Sequence, residues 1–179
     1  MAIVNLGLDL LTMTRTHPEF VLLDAQQCDF LGGPVAINVA SRTAALLPSI
    51  ARAYGCRVGN DRTQVVIFLS LPRSQAVVRD LSQGAPVAAI FSRPKTHKSL
   101  QLKGERADVL PLSPGDREIM RAYRAAFSDE ICGLGYSDAF VRALVAGVDE
   151  EAVGVRFRVS SAFEQTPGPH AGERLGPKA

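Results

Sequence analysis

Four cations, Arg93, Lys95, Lys98 and Lys103, fall in the single segment SRPKTHKSLQLKG, directly after the apolar run PVAAIF. Interleaved with Thr96 and Ser99, they offer the ammonium, guanidinium and hydroxyl donors with which adjacent backbone segments hold an oxyanion. Arg73 and Ser74 form a second set in LPRSQAVVRDL, where a helix is expected to begin and its first N–H groups add to an anion site. The competing reading of the cationic run is a solvated strand edge, on which lysine discourages pairing with other chains. Lys103 and Arg106 fit that reading better than ligand contact. With 20 Lys+Arg against 18 Asp+Glu, any basic excess is local. A dedicated nucleic-acid binder would be more basic, and 6% aromatic residues leave few stacking platforms for RNA.

Other chemistry is poorly supplied. Cys28, Cys56 and Cys132 are odd in number and widely spaced, so neither a disulfide framework nor a zinc site is indicated, and a reducing cytoplasm is expected. The histidines, His17, His97 and His170, have no acid at motif spacing, and no P-loop, G-x-S-x-G elbow or H-E-x-x-H helix occurs. GLGYSD offers Gly133 and Gly135 but follows an expected helix and lacks the third glycine of a dinucleotide fingerprint. MAIVNLGLDLLTM has no basic leader and carries Asp9, so it is not read as a signal peptide, and no apolar run is long enough to span a membrane.

The elements that must position these groups are mostly strands. At 179 residues, 46% hydrophobic and 21% charged, the chain is expected to build one globular domain. Asp24 caps a short helix closed by Gly32 and Gly33, whose exit is expected to be left-handed. PVAINVAS alternates with Val35, Ile37 and Val39 on one face. In LPSIARAYGCRV the larger Ile50, Arg52, Tyr54, Cys56 and Val58 oppose Ser49, Ala51, Ala53 and Gly55. That small-residue face reads either as a slot for a flat ring or as close packing of a helix on the sheet. Arg52 wants an acidic or phosphate partner, an ion pair or a subunit interface. Cys56 reads as a small hydrophobe.

TQVVIFLS is a strand covered on both faces. LPRSQAVVRDLSQG is a helix with Pro72 in its first turn, and PVAAIFSR is a strand. KSLQLKGERADVLPL is expected to be one strand whose apolar phase switches at a bulge at Gly104. Ser113 and Pro114 open a helix striped by Ile119, Tyr123, Phe127 and Ile131, and YSDAFVRALVAG is another helix. The final strand, AVGVRFRVSSAF, turns Val153, Val155, Phe157 and Val159 inward. About six strands with interspersed helices make a mainly β protein, expected as a closed or partly closed barrel. The reading divides the chain into an N-terminal arm (1–23), the barrel domain (24–163) and a C-terminal loop or tail (164–179).

In order and spacing, PSIARAYGCRV, VVIFLSLPRSQAVVRDL and PVAAIFSRPKTHKSLQLKG resemble the pyridoxamine 5'-phosphate oxidase-like family of flavin-binding split barrels. The resemblance runs from Asp24 to Val109 and more loosely through the final strand and TPGPHAG. It implies a six-stranded split β-barrel, a homodimer, and FMN held at the subunit interface. By that analogy Arg52 and Ala53 line the isoalloxazine ring, while Arg73, Ser74, Gln75, Lys98 and Ser99, with Thr96 beside them, surround the phosphate. Hydride transfer between the flavin and a small-molecule substrate then needs no catalytic acid or base from the protein. The chain departs from the oxidase proper in reading Arg-Ser-Gln where that enzyme has a Ser-Arg-Lys-like triplet, and in containing no Trp. Relatives also use heme or a deazaflavin, so a heme-binding or heme-degrading split barrel, with His170 as a minority heme-ligand reading, is the enzymatic alternative, and a flavin-binding sensor without turnover is the non-enzymatic one.

Overall fold

The computed structural model describes residues 20–146 and 151–176. Most of the expected N-terminal arm, with His17, lies outside the described residues. The last residues of that arm dock on the body: the Val21 amide donates to the Val159 carbonyl at 2.8 Å, the Leu23 amide to that of Arg62 at 2.9 Å, and Leu23 is fully buried.

Helix α1 (Ala25–Leu31) starts as expected at Asp24, with a capping box in which Asp24 accepts from the Gln27 amide and Gln27 reaches back to Asp24. Its exit at Gly32 is right-handed, with φ −76°, rather than left-handed. Nine strands follow: β1 (Ala36–Arg42), β2 (Pro48–Val58), β3 (Gln64–Ser70), β4 (Val87–Ser92), β5 (Ser99–Gly104), β6 (Ala107–Pro111), β7 (Ala152–Arg158), β8 (Ser161–Glu164) and β9 (Arg174–Leu175). Between them lie α2 (Gln75–Ser82), preceded by a 3₁₀ turn over Leu71–Arg73, α3 (Asp116–Cys132) and α4 (Asp138–Val145). The strands form one antiparallel sheet in the order β6-β7-β3-β2-β1-β4-β5-β8-β9. No helix among the described residues is long and apolar enough to cross a membrane.

The expected bulge at Gly104 is a corner instead. Lys103 faces Ser161 on β8 and Ala107 faces Phe157 on β7, so equal lengths of chain separate the two pairings and neither strand carries an extra residue. Both strands bend there, and each switches the face it buries, as strands do at sheet corners. Glycine is needed because a Cβ at Gly104 would sit 2.8 Å from Phe157 Cδ2 and 2.9 Å from the Arg158 carbonyl oxygen. The real bulge lies in β2: Ala53 pairs with Leu69 but Cys56 with Ile67, and Gly55 accommodates it at φ +117°.

The core is one cluster built from the alternating inward residues, among them Ile37, Val39, Ala53, Ile67, Leu69, Ala89, Phe91 and Leu102, all fully buried. α2 packs on β1 and β2 and also on β6, from the far end of the strand order, so the sheet is curled. α3 crosses the opposite side of β2. It begins at Asp116 with Gly115 as its N-cap, two residues later than Ser113 and Pro114 suggest, because the Ser113 amide and hydroxyl both donate to the Asp116 carboxylate at 2.7 and 2.6 Å. The expected stripe holds: Tyr123, Phe127 and Ile131 are buried and Ile119 half-buried. In the C-terminal segment β9 pairs with β8, and Gln165 and Thr166 bind the backbone of Ser99, the latter two contacts at 2.9 Å.

Candidate functional site

Because β1 turns Ile37 and Val39 into the core, Ala36, Asn38 and Ala40 must face outward. The pairing registers extend this face into cross-strand rows. One runs Arg52, Asn38, Ile90, Gln101, Phe163; the next runs Ile50, Ala40, Ala88, Lys103, Ser161. Arg52 therefore stands on the outer face, while Ala53, one residue on, is fully buried opposite Ile37. Ala53 can offer a ligand only its backbone. Of the two readings of the small-residue face of β2, close packing is the observed one. α2 covers its first part, with the Ser49 hydroxyl donating to the buried Asp80 carboxylate at 2.7 Å and Ala51 at 7% exposure, while Gly55, at the bulge, faces Tyr123 on α3.

Arg52 lies under α3, its guanidinium carbon 4.7 Å from the centre of the Phe127 ring. Its Nε and Nη2 are buried without a hydrogen-bond partner. Leaving such donors unsatisfied in a folded protein is costly, so they mark a place where an acceptor belongs. Beside it, Tyr123 donates to the Val35 carbonyl at 2.7 Å; burial raises its phenol well above the ordinary range, against the opposing charge of Arg52.

A second group forms where β3 runs into α2. Arg73 is exposed and its Nη1 donates to the Tyr54 hydroxyl at 3.3 Å, tying the 3₁₀ turn to β2. Ser74, the N-cap of α2, is 2% exposed, makes no capping bond, and its hydroxyl has no partner. Gln75 is exposed in the first turn.

The third group is the turn between β4 and β5. Here the cationic run divides by role. Arg93 is a structural residue: its Nε and Nη2 meet the two carboxylate oxygens of Glu130 on α3 at 3.2 and 3.3 Å, and Glu130 also accepts the Lys95 amide at 3.2 Å. The hydrogen bond from Arg93 holds the Glu130 carboxyl below its usual range. Lys98 and Lys103 lie over the rings of Phe30 and Phe163, at 5.0 and 4.6 Å. Thr96 is exposed; the Ser99 hydroxyl is already engaged with Ser92 at 2.8 Å and the His97 carbonyl at 3.0 Å. At Glu164 burial works upward but is outweighed by hydrogen bonds from Thr166, with Lys98 contributing its charge, so the carboxyl stays low.

The structure thus joins Arg73 to Tyr54 at the start of α2 and gathers Thr96, Lys98 and Ser99 at the β4–β5 turn, but no hydrogen bond among the described residues links the two groups. His97 is exposed in that turn at φ +58°. His170 is exposed in the C-terminal loop and bonded to Glu173 at 2.8 Å, which raises its imidazole pKa. Among the described residues no three His, Cys, Asp or Glu side chains could hold a metal ion together. Cys56 is buried, its thiol donating to the Leu31 carbonyl at 3.2 Å and pushed up to about 12 by burial, as suits a packing residue.

Sequence reasoning missed Asn38, Ile90 and Gln101, which stand in one row with Arg52. The signal for Asn38 was present: strict alternation in AINVAS puts a polar residue opposite a fully apolar face.

No family model and no curated protein matches the chain. Solved structures do. HupZ of Group A Streptococcus is similar over 84% of this chain and 99% of its own, at 17% identity and a TM-score of 0.50. General Stress Protein 26 of Bacillus anthracis matches over 83% and 93%, at 9% identity and 0.47. A pyridoxamine 5'-phosphate oxidase-related, FMN binding protein of Nostoc punctiforme matches over 80% and 88%, at 11% identity and 0.43. Pyridoxamine 5'-phosphate oxidase-like, FMN-binding proteins are thus among the structures it resembles, and the likeness to HupZ, at 17% identity and a TM-score of 0.50, is one of fold alone.

Proposed function

We propose that the chain is an FMN-dependent oxidoreductase of the pyridoxamine 5'-phosphate oxidase-like type, acting on a small substrate as a cytoplasmic homodimer. If the bent segments 99–111 and 152–164 are each counted as one strand and the two-residue β9 is left aside, β1 to β4 and these two would supply the six strands of a split barrel. Exposed Leu47, in the β1–β2 turn, and Ile50, on the outer face, at 65% and 72%, suit a subunit contact. Three free cysteines suit a reducing compartment.

One observation carries this reading: the buried donors without acceptors, Nε and Nη2 of Arg52 and the hydroxyl of Ser74, lie at two of the positions assigned to the cofactor. These donors fit an anionic, oxygen-rich group better than an apolar one. When bound, FMN would supply the hydride-accepting and hydride-donating chemistry. Arg73, Ser74 and Gln75 would hold phosphate at the start of α2, where free N–H groups add to the attraction. Thr96, Lys98 and Ser99 would close on the cofactor from the β4–β5 turn, which the Arg93–Glu130 pair anchors to α3. Arg52 would orient the ring system on the outer face, with Ala53 contributing backbone alone.

The test is the visible spectrum of the purified protein, followed by FMN titration of wild type and Lys98→Ala. Flavin bands with NAD(P)H-dependent bleaching are expected, and Lys98→Ala should weaken binding by about 1.5–3 kcal/mol. Unchanged affinity removes Lys98 from the site. Bound flavin that no reductant bleaches makes the protein a sensor, a Soret band turns the reading to heme and His170, and reduction of a deazaflavin alone replaces FMN as the cofactor.

A further inference from the structure

On the same outer face, one row beyond Arg52, the sheet opens into a groove of about 460 Å³. Ala40, Ala88, Lys103 and Ser161 of the second row line it, and successive rows on one face are about 7 Å apart. Small side chains at Ala40 and Ala88 make the floor. Leu46 and Pro86 stand as walls. The Ser41 hydroxyl donates to the Pro86 carbonyl at 2.9 Å and ties down that wall, while Leu46 stands in the β1–β2 turn at φ +64°, a conformation rare for a bulky residue. A preformed apolar concavity of this volume is of the size that encloses small organic ligands.

Its rim is charged and uneven in sign. Arg42 has no carboxylate partner among the described residues, nor has Lys103, whose ammonium lies over the Phe163 ring, and Glu105 is the acid among the lining residues. One net positive charge therefore stands at the edge of an apolar trough. We propose that this groove is the substrate site and that the substrate is a compact, largely apolar ring compound carrying a single carboxylate. The apolar body would lie on Ala40 and Ala88 and the carboxylate would meet Lys103 and Arg42. The inference rests on the flavin reading, since it is the neighbouring row, with Arg52, that would carry the cofactor.

Two probes that differ only in charge, 2-naphthoate and 2-naphthalenemethanol, test it by calorimetric titration of the FMN-loaded protein. The naphthoate should bind about tenfold more tightly, the worth of one charge-assisted contact. Lys103→Met, which keeps the aliphatic stem, should bring the naphthoate down to the level of the alcohol and leave the alcohol unmoved. Ser161→Phe, which fills the groove from β8, should abolish binding of both while the absorbance of bound FMN is retained. Equal affinity for the two probes, or naphthoate binding that survives both substitutions, overturns the inference. If wild type takes up no FMN, the flavin reading fails, and the same titrations on the FMN-free protein still decide whether the groove binds the carboxylate.

Discussion

Replacing Arg52 with Met separates a binding residue from a structural one, because the two roles predict opposite signs. Met keeps most of the aliphatic stem and its packing on Phe127, and removes the guanidinium. In the cofactor-free protein that guanidinium buries two donors without acceptors, each costing about 1–3 kcal/mol. The contact with the Phe127 ring at 4.7 Å returns about 0.5–2 kcal/mol. At the midpoints of these ranges, about 4 kcal/mol against about 1, the balance favours Met by about 3 kcal/mol, which in a chain of this size raises the melting temperature by roughly 6–12 °C. FMN affinity should move the other way, falling roughly ten- to hundredfold for a lost charge-assisted contact. Thermal melts of cofactor-free protein and flavin fluorescence titrations read the two effects independently. A variant that melts lower than wild type and binds FMN equally well would refute the reasoning, since Arg52 would then be an ordinary core contact.

The corner of the sheet and the anchoring of α3 give two more expectations. Gly104→Ala forces a Cβ against the Phe157 ring and the Arg158 carbonyl and should cost roughly 2–4 kcal/mol, whereas Gly176→Ala, with open space around it, should be silent; equal melts for the two would mean the strands do not meet at Gly104 as described. At Asp116 burial works upward, yet hydrogen bonds from Ser113 and Arg57 outweigh it and hold the carboxyl below its usual range. A carboxyl whose pKa is depressed on folding contributes stability above its unfolded value and loses it as the pH falls through the folded one. Stability should therefore decline from about pH 5 downward, with Glu130 and Glu164 adding to the slope. Arg57→Ala should lower stability at pH 7 by about 1–2 kcal/mol and flatten that decline, and urea unfolding with the same acid slope in both proteins would show that the pair is not linked to folding.

Much of the local structure was legible along the chain because its causes are local. The Asp24 cap needs only the Gln27 three residues on, and the α3 stripe needs only its spacing of four. The phase switch at Gly104 was visible too, but its cause was not. A bulge and a corner give the same sequence pattern, and they differ only in whether Phe157 and Arg158 press on the glycine from the other strand. The cationic run shows the same limit within the site: Arg93 and Lys98 are alike in sequence, yet Glu130, on a helix thirty-odd residues away, takes the first for the fold.

By itself the sequence determined the inventory: a mainly β chain with free cysteines, a near-neutral balance of charge, and the donors at Arg52, Ser74 and Lys98. Tertiary structure decided the arrangement. Whether Ala51 and Ala53 or Ala40 and Ala88 offer the small-residue surface depends on which face of the curled sheet α2 covers. That choice follows from pairings such as Asn38 with Arg52 and Ile90, and Lys103 with Ser161, between segments far apart in the chain. Side-chain alternation states that a strand has two faces. Only the free energy of packing the whole sheet against its helices settles which face is buried and which is left open.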